Sequence, residues 1–165
     1  AASEFNGPMY IRLTGAVGNP SVYTEEYDFK IGKSVTLKEG SDITIFATGS
    51  MVFESLEAAK ILDKLGISAS VVNTHTLKPF DYSEVDKAIS SSKIIITVEE
   101  HSTIGGLGSI IAQYITKFTN SPAQLILGLP DAFGKTAEYR FLLEKYRLVG
   151  EKIAIDIQKF LQNKN

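Results

Sequence analysis

The chain has 165 residues, the length of one ordinary domain, and its mix of 44% apolar and 22% charged residues excludes a disordered or fibrous chain. Seventeen Lys and Arg stand against 19 Asp and Glu, a formal net charge of -2, so no global positive field exists to hold a nucleic acid backbone. Cysteine is absent, which excludes disulfide scaffolds, thiolate zinc sites and cysteine nucleophiles together.

In chain order, Met9 to Leu13 is apolar and aromatic enough to be a strand, lying between Gly7-Pro8 and the Gly-rich stretch Thr14 to Pro20. Val22 to Lys30 alternates aromatics and acids. Ser34 to Leu37 and Ile43 to Thr48 read as strands, and the turn Lys38-Glu39-Gly40-Ser41 between them implies antiparallel pairing or a change of direction. Val52, Leu56, Ala59 and Leu62 then recur at three- and four-residue steps, the pattern of a helix burying one face, which Gly66 ends. Ala69 to Val72 is a short β-branched strand broken at Lys78-Pro79, after which Asp81 or Ser83 can cap a helix to about Ile89.

Lys93 to Val98 is a continuous β-branched run, as expected of a strand covered on both faces. A helix is predicted over Gly105 to Phe118, a strand over Leu125 to Gly128, and helical segments around Ala137 to Tyr146 and Glu151 to Leu161. This alternation predicts an α/β fold with a mostly parallel sheet and helices on both faces. The longest apolar runs, such as Ile94 to Val98, are too short to span a bilayer, and no signal-peptide pattern opens the chain, so a cytoplasmic protein without a membrane partner is expected.

Three constellations are candidates for chemistry. The run from Gly128 to Thr136 ends in Gly134-Lys135-Thr136, as a phosphate-binding loop would. Five residues separate its glycines where that loop needs four, and Pro130 has no N–H, so a structural loop is the preferred reading. Gly105-Gly106-Leu107-Gly108-Ser109 partly matches a dinucleotide fingerprint whose third glycine falls on Ile111; close packing or an anion facing the backbone are the alternatives. Glu99-Glu100-His101, at the carboxyl end of a strand, could form an acid/base pair or part of a metal site, but only one other histidine, His75, exists to complete it. A structural or interface hydrogen-bonding role for His101 is preferred to catalysis.

Four segments together resemble the C-terminal domain shared by transketolases, deoxyxylulose-phosphate synthases and the beta subunits of 2-oxoacid dehydrogenase decarboxylases. They are Asp42 to Ser50; Gly66 to Val72 with Thr76-Leu77-Lys78-Pro79 and Asp81; Val98 to Ser109; and Pro130 to Gly134. The resemblance implies a three-layer α/β/α sandwich around a mostly parallel mixed five-stranded sheet with one antiparallel strand. It also implies a division at residue 30: residues 1–30 look like the remnant of a preceding pyrimidine-binding domain plus linker, and 31–165 like the C-terminal domain.

Such enzymes transfer a two-carbon ketol unit between sugars, as in the pentose phosphate pathway, using thiamine diphosphate and magnesium. The resemblance places those cofactors on other domains, so this chain is expected to hold no catalytic, cofactor-binding or metal residue and to be inactive alone. Its partners would be the remaining domains or subunit of a homodimer or heterotetramer. Glu99, Glu100, His101, Gly105 and Gly106 are the candidate domain or dimer interface, and Arg12 is the candidate substrate-proximal residue. Where transketolases usually carry an arginine for the substrate phosphate, seven residues after the proline matching Pro8, this chain has Gly15. That departure points towards an unphosphorylated or nucleotide-linked sugar, or a charge supplied by another chain. The alternatives are the C-terminal domain of a 2-oxoacid dehydrogenase beta subunit and a free-standing anion-binding or interaction module using Glu99 to Ser109.

Overall fold

The computed structural model describes residues 1–14 and 18–163. Five strands form one sheet: β1 (Val35–Lys38), β2 (Ile43–Ala47), β3 (Ala69–Asn73), β4 (Ile94–Ser102) and β5 (Ala123–Leu129), in the order β1-β3-β2-β4-β5. Among the described residues five α-helices accompany them: α1 (Met51–Lys64), α2 (Tyr82–Ser91), α3 (Leu107–Ile115), α4 (Tyr139–Lys145) and α5 (Gly150–Gln162). β2 is parallel to β3 and β4, and β4 to β5, while β1 alone runs antiparallel, along the far edge of β3.

Side-chain alternation divides the core into two halves. Ile43, Ile45 and Ala47 of β2 and Ile94, Ile96 and Val98 of β4 face one layer, where Val52, Ala59 and Leu62 of α1 meet Ile153 and Ile157 of α5. Phe46, Val72 and Ile95 face the other, with Val85 of α2 and Leu107 and Ile111 of α3. α1 and α5 approach closely because Gly150 has no side chain: a Cβ there would lie 2.7 Å from Glu57 Cβ and 3.0 Å from the Glu54 carbonyl. The three-layer sandwich with a mixed five-stranded sheet is the expected one.

The differences from the sequence reading have physical causes. Met9 to Leu13 is not a strand, because no neighbouring strand offers it a ladder; Tyr10 and Leu13 lie open to solvent. The turn Lys38 to Ser41 does not join two paired strands, since β3 inserts between β1 and β2. Gly40 makes that possible: a Cβ there would fall 2.2 Å from the Ala69 carbonyl carbon. α3 starts at Leu107 and not Gly105, because Gly105 has φ +81° and Gly106 is extended. Asp81 holds the N-cap position of α2 without bonding its N–H groups, accepting instead from the Ser34 N–H at 2.9 Å and from the Ser83 hydroxyl.

Candidate functional site

Winding from β2 goes left to β3 through α1, then right to β4 through α2 and on to β5 through α3. The direction therefore reverses between β2 and β4, and open sheets bind ligands outside the carboxyl ends of strands at such a point. Glu99 and Glu100 stand there, next to Thr48-Gly49-Ser50 at the end of β2.

Alternation along β4 sends the two carboxylates to opposite layers. Glu99 turns towards α3 and is 1% exposed; its Oε2 accepts the Leu107 N–H at 2.7 Å and its Oε1 the Gly108 N–H at 2.8 Å. The chain's own anion thus fills the anion site at the helix N-terminus. Gly106 makes room for it, since a Cβ there would fall 1.9 Å from Glu99 Oε2, and Gly108 lets α3 settle onto Thr97 and Ile126. Glu100 turns the other way, where its Oε2 accepts hydrogen bonds from the Ser50 hydroxyl and, at 2.7 Å, from the Tyr139 hydroxyl. Burial chiefly pushes the Tyr139 phenol above its ordinary value, which keeps it a protonated donor.

His101 is exposed, with Nδ1 3.0 Å from the Ser102 carbonyl. His75 lies two residues beyond β3, a strand two spacings or roughly 10 Å of sheet from β4. Its Nδ1 lies 2.8 Å from Thr76 Oγ1, its ring packs on Phe29 at 4.3 Å, and burial lowers its pKa. The histidines do not converge, and the described residues contain no group of three His, Cys, Asp or Glu placed to hold a metal. The Gly134-Lys135-Thr136 loop is exposed and builds no phosphate cradle, because the N–H groups of Arg140 and Phe141 at the start of α4 are bonded by the Glu138 carboxylate at 3.0 and 2.9 Å.

Arg12 Nη2 reaches the Glu100 carbonyl at 3.4 Å, which brings the N-terminal segment to this edge; Gly15 lies outside the described residues. The following segment is tied to β3. Tyr23 stacks on Tyr27 at 3.8 Å, and its hydroxyl accepts from Asn73 Nδ2 at 2.8 Å. Nothing in the sequence marks the contacts of Ser50 and Tyr139 with Glu100 or the pairing of Tyr23 with Asn73. Tyr139 lies 39 residues from the carboxylate it meets, and no local pattern marks it.

Similarity to known proteins agrees with this architecture. The family described as "Transketolase, C-terminal domain" matches residues 32–153. The chain belongs to the transketolase C-terminal domain family. A "Putative transketolase C-terminal section" of Methanocaldococcus jannaschii is 40% identical over 92% of the chain and 48% of that relative. The "6-deoxy-6-sulfo-D-fructose transketolase subunit SqwH" of Clostridium sp. (strain MSTE9) is 38% identical over 97% of the chain and 49% of that subunit. A solved chain described as "Split gene transketolase, inactive beta4 tetramer" superposes with a TM-score of 0.79 at 38% identity, covering 90% of this chain and 47% of its own. This transketolase C-terminal domain therefore spans about half the length of those curated relatives.

Proposed function

We propose that this domain is the non-catalytic, assembly-forming C-terminal part of a thiamine-diphosphate-dependent transferase that moves a two-carbon ketol unit between sugars. The observation that carries this reading is the buried Glu99 carboxylate on the N-terminus of α3. The N-terminus of α3, where backbone N–H groups at the switch point could receive a diphosphate, already holds the chain's own carboxylate, and Gly106 leaves no space beside it. The residues present do not fit the cofactor, so no step of its chemistry is assigned to them.

What the domain offers is surface. Residue 103 donates its backbone N–H to the Leu129 carbonyl at 3.0 Å, so the loops after β4 and β5 leave the edge side by side, with Ile104 65% exposed and Phe133 fully exposed at their tips. Tyr10, Ile11 and Leu13 add exposed apolar area on the segment that Arg12 brings to the same edge. Such a patch suits the cofactor-holding part of the enzyme, whether an upstream domain or a separate subunit. Glu100, His101 and Gly105 lie at this edge and form the border of the contact. Residues 1–30 act as the connection to that part. Assembly into a multimer of paired chains is supported by the relative described as a beta4 tetramer. Gly15, together with the relative named for a sulfo-sugar, supports a donor other than a standard ketose phosphate.

Titration calorimetry of the isolated chain with thiamine diphosphate and magnesium tests the reading. No heat of binding is expected from the chain alone, with ketol transfer recovered when the cofactor-holding part is supplied; tight binding to the chain alone overturns it.

A further inference from the structure

The loop between β5 and α4, which contains Gly134-Lys135-Thr136, serves neither a phosphate nor the core. Residues 130–138 are all exposed, and the Phe133 ring at the tip is fully so. Among the described residues the backbone bond closed within the loop runs from the Ala132 N–H to the Pro130 carbonyl at 2.8 Å, and a side chain at Gly134 would meet nothing. A loop with so few bonds of its own keeps one conformation only if its ends are held.

Both ends are fastened to the same short stretch of chain at the end of β4. At the first, Ser102 pairs with Leu129 and the Thr103 N–H donates to the Leu129 carbonyl at 3.0 Å. At the second, the Tyr139 hydroxyl donates to Glu100 Oε2 at 2.7 Å, an oxygen that the Ser50 hydroxyl also reaches. Glu100 is placed for this by a register shift in the ladder: between the pairs Val98–Leu127 and Ser102–Leu129, Glu99, Glu100 and His101 stand opposite Gly128 alone. Gly128 admits that bulge, since a Cβ there would lie 2.8 Å from the His101 carbonyl oxygen. α4 has other holds of its own: Leu143 is buried, Arg140 pairs with Glu54, and the Glu138 side chain caps the first N–H groups. What the phenol–carboxylate bond adds is a fixed exit for the loop.

We propose that Tyr139 and Glu100 are positioning residues for Phe133: their bond holds the loop so that the ring is presented in one place to an apolar pocket on the cofactor-holding part. An aromatic side chain ordered before contact loses little freedom on association, and rings of this kind concentrate binding energy at interfaces. The identity of the partner rests on the assembly reading above, whereas the hold of the bond on the loop does not.

Two readouts test it, backbone 15N relaxation of the chain and titration calorimetry of the chain against the purified cofactor-holding part. Tyr139→Phe keeps the packed ring and removes the hydroxyl. Order parameters of residues 131–138 should stand near about 0.8 in the parent chain and fall below about 0.6 in that variant. Phe133→Ala weakens capture roughly 30-fold and Tyr139→Phe about tenfold, and the two combined do no more than Phe133→Ala alone, because a loop without its ring has nothing to present. Losses that multiply would make Tyr139 a structural residue of α4 and overturn the proposal. So would a parent loop that is already mobile, order parameters unmoved by Tyr139→Phe, or capture indifferent to Phe133. Arg140→Ala separates helix stability from positioning: it breaks the pair with Glu54 and lowers the urea midpoint, yet leaves capture within about threefold. A loss as large as that of Tyr139→Phe would again overturn the proposal. Should Tyr139→Phe not fold by circular dichroism, Glu100→Ala removes the same bond from its other side and is expected to give the same two results. Absence of capture by the parent chain overturns both this proposal and the assembly reading, whereas thiamine diphosphate binding to the isolated chain overturns that reading and leaves the order parameters as stated.

Discussion

Glu99 and Gly106 form one device. A carboxylate 1% exposed is tolerable because two N–H groups of α3 reach it, and they reach it because position 106 has no side chain. Glu99→Gln keeps the shape but turns one acceptor into an NH2 that faces an N–H, with an expected loss of about 1–3 kcal/mol. Gly106→Ala forces a methyl against the carboxylate and costs about 2 kcal/mol or more. Removing the carboxylate first removes that clash, so Gly106→Ala in a Glu99→Ala background costs less than it does alone, and urea unfolding of the four proteins measures the difference. Equal costs in both backgrounds would show that the two residues are independent. The location of this cluster is legible in the sequence, since acids after a β-branched run mark the carboxyl end of a strand. The roles of its members are not, because alternation sends Glu99 and Glu100 to opposite layers, and only the placing of α1, α3 and Tyr139 decides what each one meets.

Elements in this fold are tied at their ends by single polar residues, and Asp42 is the clearest case. Its backbone carbonyl accepts the Lys93 N–H at 2.8 Å, its Oδ2 the Ser68 N–H at 2.9 Å and its Oδ1 the Lys93 ammonium at 2.7 Å, so it joins the amino ends of β2, β3 and β4. The Lys93 ammonium, helped by the Ser68 N–H, holds the Asp42 carboxyl below the usual carboxylate range. A group whose pKa is lower when folded binds more protons when unfolded. Its contribution is therefore complete above the ordinary value of about 4 and disappears as the pH falls through the folded value below it. Asp42→Asn should accordingly be destabilising at pH 7 and come progressively closer to the parent protein below pH 4, as read from urea midpoints across that range. A gap of constant size would assign the loss to shape and not to charge. The helices and the four parallel strands could be read from periodicity, which reports the faces an element buries. Pairing could not. The turn after β1 left antiparallel pairing or a change of direction open, and the change of direction is what occurs: β1 lines β3 and not β2, because pairing depends on a close approach at Gly40 that hydrophobic patterning does not encode.

At the scale of the molecule, the first thirty residues divide by what they touch. Phe5, Met9, Tyr10, Ile11 and Leu13 are exposed, and the Arg12 bond to the Glu100 carbonyl is long at 3.4 Å, so this stretch gives the isolated domain little. Beyond it, Val22 packs on the α1/α5 half of the core, the Tyr23 hydroxyl accepts from Asn73, and the Phe29 ring covers His75. Deleting residues 1–13 should leave the unfolding free energy within about 0.5 kcal/mol, as for surface changes generally. Deleting residues 1–30 strands the buried Asn73 amide and uncovers the His75 ring, an expected loss of about 2–4 kcal/mol from one orphaned polar group and one aromatic contact. Urea unfolding of both truncations measures this, together with capture of the cofactor-holding part by each. The shorter deletion should lose capture while keeping its stability, because side chains that do nothing for the domain itself are the ones free to be buried against a partner. A shorter deletion that is as unstable as the longer one would instead make residues 1–13 part of this domain's own fold.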